Sequence, residues 1–183
     1  MLPPFPSWDG MHPLIVHFPI ALLLVAPLFV VLGLIFPKQW NGLAAAALIL
    51  MVLGTLGAFA AVSTGEAAGE LVERNEAISA TLEHHEDLAE TTRTVFAVLT
   101  LIFAAIVVTP LVLGTTVKPM LRTGLCVAFL CLYAFGAVLL VNTAHEGGRL
   151  VHEYGVQALI ATGPSTLGKP VEHEEHEDEE DER

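Results

Sequence analysis

The residues of this chain whose type and spacing could do chemistry are its histidines. His12 and His17 stand at the mouth of a long apolar run, in the stretch His12-Pro13-Leu14-Ile15-Val16-His17-Phe18-Pro19. His84 and His85 are adjacent, and His145 and His152 flank Arg149. Imidazole is the preferred protein ligand for b-type haem, copper and zinc. Two histidines on different helices, facing one another across a bundle, can hold a haem iron axially. Each ring then needs its other nitrogen hydrogen-bonded, which fixes its orientation and basicity.

His17 and His85 are the expected axial pair. His17 lies inside the apolar start of the first run, where an unpaired polar side chain is costly. His85 is centred on the apolar stripe of an otherwise charged segment, with His84 at the stripe's edge. The bland alternative is that each ring bonds a backbone carbonyl or a carboxylate and only shapes the bundle. Copper or zinc is the other ligand class. It would use His12, His17 and His85, with His145 and His152 as further candidates and the acidic, His-containing tail as a collector. His145 and His152 lie two turns apart on a continuous helix, roughly 10 Å along its axis. One ion could take both only if the helix broke at Gly147-Gly148. Arg149, on the same face, could instead hold a haem propionate. Cys126 and Cys131, five apart, read as packing residues. No nucleophile–base arrangement, phosphate loop or HExxH motif is present, so an electron-transfer subunit is expected rather than a stand-alone enzyme.

The elements that must position these residues are membrane helices. Only 15% of residues are charged and 54% are hydrophobic, with mean hydropathy +0.64. A soluble domain carries roughly 25% charged residues. The net charge of −12 comes largely from the tail after Glu172, and no basic nucleic-acid footprint exists. Residues 1–11 form an interfacial lead-in with Trp8. Apolar runs follow at His12–Phe36, Leu43–Thr64, Val95–Leu113 and Leu125–Ala144, each long enough to cross a bilayer. Pro19 and Pro27 are expected to kink the first. Gly54, Gly57, Ala58, Ala61 and Gly65 recur at helical spacing in the second, which suits close packing or a flat cofactor. Glu66–Glu90 is amphipathic, with Leu71, Leu82, His85 and Ala89 grouped near Ile78. The expected fold is an all-α, four-transmembrane-helix bundle over residues 12–162, with an amphipathic helix between spans two and three. Residues 163–183 are expected to be a disordered acidic tail.

Lys38, Lys118 and Arg122 occupy the two short loops, and neither loop holds an acid. The positive-inside rule then puts both termini and the 66–92 segment outside. His12, His17, His84, His85, His145 and His152 all fall in that outer half.

His12 to Leu22, His-Pro-Leu-Ile-Val-His-Phe-Pro-Ile-Ala-Leu, resembles the opening of a bacterial membrane-protein family named as domain of unknown function 2231. Thr64-Gly65-Glu66-Ala67-Ala68, His85-Glu86-Asp87-Leu88-Ala89 and Gly147-Gly148-Arg149-Leu150-Val151 resemble its TGExA, HExxA and GGxLV segments, in the right order. The resemblance covers about residues 11–158. It implies a four-span protein of the bacterial inner membrane engaged in redox or respiratory work, with b haem, since some members are joined to Rieske-type or c-type cytochrome modules. It carries His12, His17 and His85 over as family positions. After GGxLV the family pattern reads Tyr, one residue, then His-Gly-Val. Here His152 and Tyr154 are exchanged. The function expected is a cytochrome b-like subunit holding one or two b haems near the outer face. Its expected partners are the bilayer, other membrane redox subunits or further copies of itself, and a soluble outer carrier such as a c-type cytochrome. A haem-free structural or assembly subunit is the third reading.

Overall fold

A computed structural model of the chain describes residues 6–156. The acidic tail and its boundary at residue 163 lie outside the described residues. A single 3₁₀ turn, Asp9–Met11, leads into α1 (His12–Ile15) and α2 (His17–Ile35). A second 3₁₀ turn at Pro37–Gln39 precedes α3 (Trp40–Gly69), which is followed by α4 (Glu76–Val112) and α5 (Pro119–His152). Among the described residues the protein is all-helical, with 86% of them in helices and four helical stretches long and apolar enough to cross a membrane. The expected four-span bundle is the fold observed.

Local chemistry sets the element ends. Asn75 accepts the Ile78 amide on its side chain at 2.9 Å, which caps α4, and Glu76 in the first turn complements the helix dipole. Pro119 occupies the first turn of α5, where its missing N–H is harmless. Gly114 takes the left-handed conformation just past α4, at φ 60°. Because of the Asn75 cap, the amphipathic segment divides. Glu66–Gly69 finishes α3, residues 70–75 make the turn, and the rest is the first half of α4, continuous with span three. Leu71, expected on the Ile78 face, is therefore exposed in the turn. His85 faces the protein and His84 is exposed, as the stripe predicts.

The prolines of span one leave carbonyls without their helical partner. The helix is interrupted at Val16, just before Pro19, whose ring cannot donate to Ile15. Pro27 stays inside α2. The carbonyl it leaves free is that of Leu23, and there Tyr133 on α5 donates its hydroxyl at 2.6 Å. In an apolar bundle such a vacancy must be filled from a neighbouring helix.

The core runs along one stripe of each helix. Leu23, Ala26 and Val30 on α2 meet Ala44, Ala47 and Met51 on α3, while Phe96, Leu99 and Phe103 on α4 meet Phe129, Tyr133 and Leu140 on α5. With Gly136 between Tyr133 and Leu140, the spacing alternates three and four residues, the seam of a helix bundle. Small residues bring the backbones close. A methyl at Gly54 would stand 2.7 Å from Leu23, and one at Gly136 would stand 2.9 Å from Leu99. The close-packing expectation for the α3 glycines thus holds at Gly54. Thr55 and Thr100 pair their buried hydroxyls at 2.8 Å across α3 and α4. Leu28, Ile49, Leu56, Leu101 and Phe135 point outward, an exposed apolar girdle that suits lipid rather than water.

This packing can be tested at two points. Tyr133→Phe should leave the Leu23 carbonyl unpaired and lower stability by about 1–3 kcal/mol in thermal unfolding of detergent-solubilised protein; an unchanged midpoint contradicts the assignment. Gly54→Ala should cost about 1–3 kcal/mol through overpacking. Gly42→Ala, where the added methyl meets nothing within 4 Å, should cost nothing in the same assay.

Candidate functional site

The starts of α1 and α4 and the ends of α3 and α5 share one end of the bundle. Two imidazoles turn inward there. The His12 Nδ1 lies 2.9 Å from the Ala61 carbonyl and 3.2 Å from the Thr64 hydroxyl, both on α3. The His85 Nδ1 lies 2.9 Å from the Thr143 carbonyl on α5. A carbonyl can only accept, so in both rings the proton must sit on Nδ1. That leaves Nε2 with a free lone pair whenever the ring is neutral.

A hydroxyl braces the Ala61 carbonyl, and hydroxyls brace the backbone and side chain beside the Thr143 carbonyl. Buried Thr64 donates to the Ala60 and Ala61 carbonyls, at 2.9 and 3.1 Å. Thr143 donates to Leu139, so the 2.9 Å contact between the Thr92 and Thr143 hydroxyls is donated by Thr92. Glycines floor both rings. A methyl on Gly65 would stand 2.8 Å from His12 Cε1, and one on Gly147 would stand 2.9 Å from His85 Cε1. His85 belongs to the charged first half of α4, outside the apolar stretch of span three. Burial, its largest influence, holds its pKa below the ordinary histidine value, against the Thr143 carbonyl and Glu146; His84 reinforces the burial. Neutral His85 is therefore favoured.

The other candidates stand apart from this pair. His17 is exposed and donates its Nδ1–H to the Pro13 carbonyl of its own helical stretch at 2.7 Å. The structure does not face it toward His85; His12 takes the inward position. Five residues turn a helix by about 140°, so the two histidines of the opening motif cannot share a face. His145 and His152 are both exposed on α5, which runs unbroken through Gly147-Gly148. Arg149 is engaged by acids of its own helix, Glu146 at 2.8 Å and Glu153 at 3.0 Å. A propionate would have to compete with both. Among the described residues, no three His, Cys, Asp or Glu side chains are grouped to hold a metal ion.

Thr64, Thr143 and Gly147 line the rings without being expected there, while Ala61 and Gly65 belong to the small-residue stripe expected to suit close packing or a flat cofactor. Their signal was present in part, since Thr64-Gly65 and Gly147 belong to the segments that carry the family resemblance. Carbethoxylation with mass-spectrometric readout checks the geometry. His84, His145 and His152 should modify several-fold faster than His12 and His85. Equal rates at His84 and His85 would remove the inward placement.

A family model described as Predicted membrane protein (DUF2231) matches residues 9–159. No curated protein matches the chain, and no solved structure does. The match covers all four membrane-crossing helices and both inward histidines, and the chain is a membrane protein belonging to the DUF2231 family.

Proposed function

We propose that the chain is a membrane electron-transfer subunit of cytochrome b type, in which His12 and His85 would hold a b haem. One observation carries this reading. Two imidazoles on different helices each commit Nδ1–H to a backbone carbonyl and keep the Nε2 lone pair free. That donor set fits a haem iron, because the second hydrogen bond fixes each ring and raises its basicity. Haem bound there would supply one-electron chemistry at iron.

The chain's own residues do the positioning. The Ala61 and Thr143 carbonyls hold the two rings, and the Thr64 and Thr92–Thr143 hydroxyls hold the backbone around them. The apolar core from Leu23 to Phe96 closes the inner side against water. Arg149 takes no part in this version, since Glu146 and Glu153 already hold it. By the positive-inside rule, the Lys38, Lys118 and Arg122 end faces the cytoplasm of a bacterial cell and the histidine end faces the periplasm. Glu76, Glu83, Asp87 and Glu90 are exposed at that end and suit a basic soluble carrier such as a c-type cytochrome. The electron donor or acceptor on the membrane side is the quinone pool or a partner subunit.

A visible spectrum of the purified protein tests the reading. The reduced protein should show a b-type α band. His12→Ala and His85→Ala should each lose it, while His17→Ala should keep it. No band, with bound copper or zinc by elemental analysis, would move the same histidines to the metal reading. Loss in His17→Ala with retention in His12→Ala would overturn the pair.

A further inference from the structure

The two halves of the bundle build the site in the same way. In the first half, His12 reaches the carbonyl of Ala61, with Gly65 one turn further on and Gly54 two turns back. In the second, His85 reaches the carbonyl of Thr143, with Gly147 one turn further on and Gly136 two turns back. The spacing of glycine, carbonyl and glycine is identical on α3 and α5. The correspondence continues through the core. The buried positions Ala44, Ala47, Met51, Gly54 and Ala58 on α3 are spaced as Cys126, Phe129, Tyr133, Gly136 and Leu140 on α5, and all ten are buried. On the other helix of each hairpin, His12, Pro19, Leu23, Ala26 and Val30 are spaced as His85, Thr92, Phe96, Leu99 and Phe103. Seven-residue burial alone would match at any slip of one heptad. The two imidazole–carbonyl–glycine contacts remove that freedom and fix one register.

Spans one and three both begin at the histidine end, so the hairpins run the same way through the membrane. Parallel repeats of this kind are related by an axis along the membrane normal, and ligands lie where the repeats meet. Each half delivers one imidazole at the same end of the bundle.

We propose that the chain is a tandem pair of equivalent hairpins whose ligand sits between them, bound by one imidazole from each. Gly65 and Gly147 are the matching positioning residues, each setting its ring on the facing carbonyl. A ligand that takes two equivalent imidazoles is a planar metallocycle ligated from both sides or a two-coordinate ion. Three-ligand tetrahedral sites do not share this symmetry. The choice of haem between these rests on the preceding reading; the positioning role does not.

The test uses full-length protein, ¹⁵N-labelled at histidine, in detergent micelles. In the wild type both inward rings should appear as Nδ1-protonated tautomers. Gly65→Ala should shift the His12 ring signals alone, and Gly147→Ala the His85 signals alone. Gly148→Ala, where a methyl meets nothing within 4 Å, should shift neither. In the haem-loaded protein the two active variants should weaken haem binding by similar factors, about tenfold or more. Ring signals unmoved by Gly65→Ala or Gly147→Ala overturn the positioning role. Effects on haem binding that differ between the two by more than about tenfold overturn the equivalence. Ring shifts as expected in a protein that binds no haem would support the repeat and reject haem as its ligand.

Discussion

Everything at the functional end depends on two hydrogen bonds, from His12 to Ala61 and from His85 to Thr143. Each runs from a side chain on one helix of a hairpin to the backbone of the other. Each therefore does two jobs. It satisfies a polar ring beside an apolar bundle, and it selects the tautomer with a free Nε2. A ring so held is both a structural tie and a ready ligand, which is why the bland reading and the functional one share the same atoms. What separates them is the second imidazole. One ring would be a tie; two inward rings at one end of the bundle, each with the same nitrogen unshared, are what the proposed ligand site rests on.

The same rule, that no backbone polar group is left alone in lipid, organises the middle of the bundle. Pro27 removes a donor, Leu23 is left with a free carbonyl, and Tyr133 supplies the missing proton from across the bundle. Tyr133 also anchors the aromatic packing, with Phe96 at 5.3 Å and Phe129 at 5.6 Å between ring centroids. A proline on span one thus ties the two hairpins together. At the opposite end, Arg122 stacks 4.8 Å from the Trp40 ring, a second link between the halves.

The four spans were legible because an apolar run of about twenty residues matches the thickness of a bilayer's hydrocarbon core. The inward face of His85 was legible from helical periodicity, and it holds even though the helix starts later than the charged segment does. The start at Asn75-Glu76 carries a recognisable capping signal that periodicity overlooked. The choice between His12 and His17 was harder. Burial in the apolar run argued for His17, but depth along a helix does not say which way a side chain points. The rotation of α1 and α2 is set by Gly57 against Pro19 and Gly65 against His12, contacts between residues 38 and 53 positions apart that no local pattern encodes. The equivalence of the hairpins was equally hidden. The two histidine-bearing stretches share no residues beyond the imidazole, so only the contacts show that they do the same work.

Electron paramagnetic resonance of the oxidised, purified protein tests the central claim most directly. Two imidazoles on a ferric haem give a low-spin signal. That signal is expected in the wild type and in His17→Ala, with conversion to high spin, or loss together with the haem, in both His12→Ala and His85→Ala. A wild-type low-spin signal that persists in either of those two variants would contradict the axial pair, and so would a protein that carries no ferric signal at all.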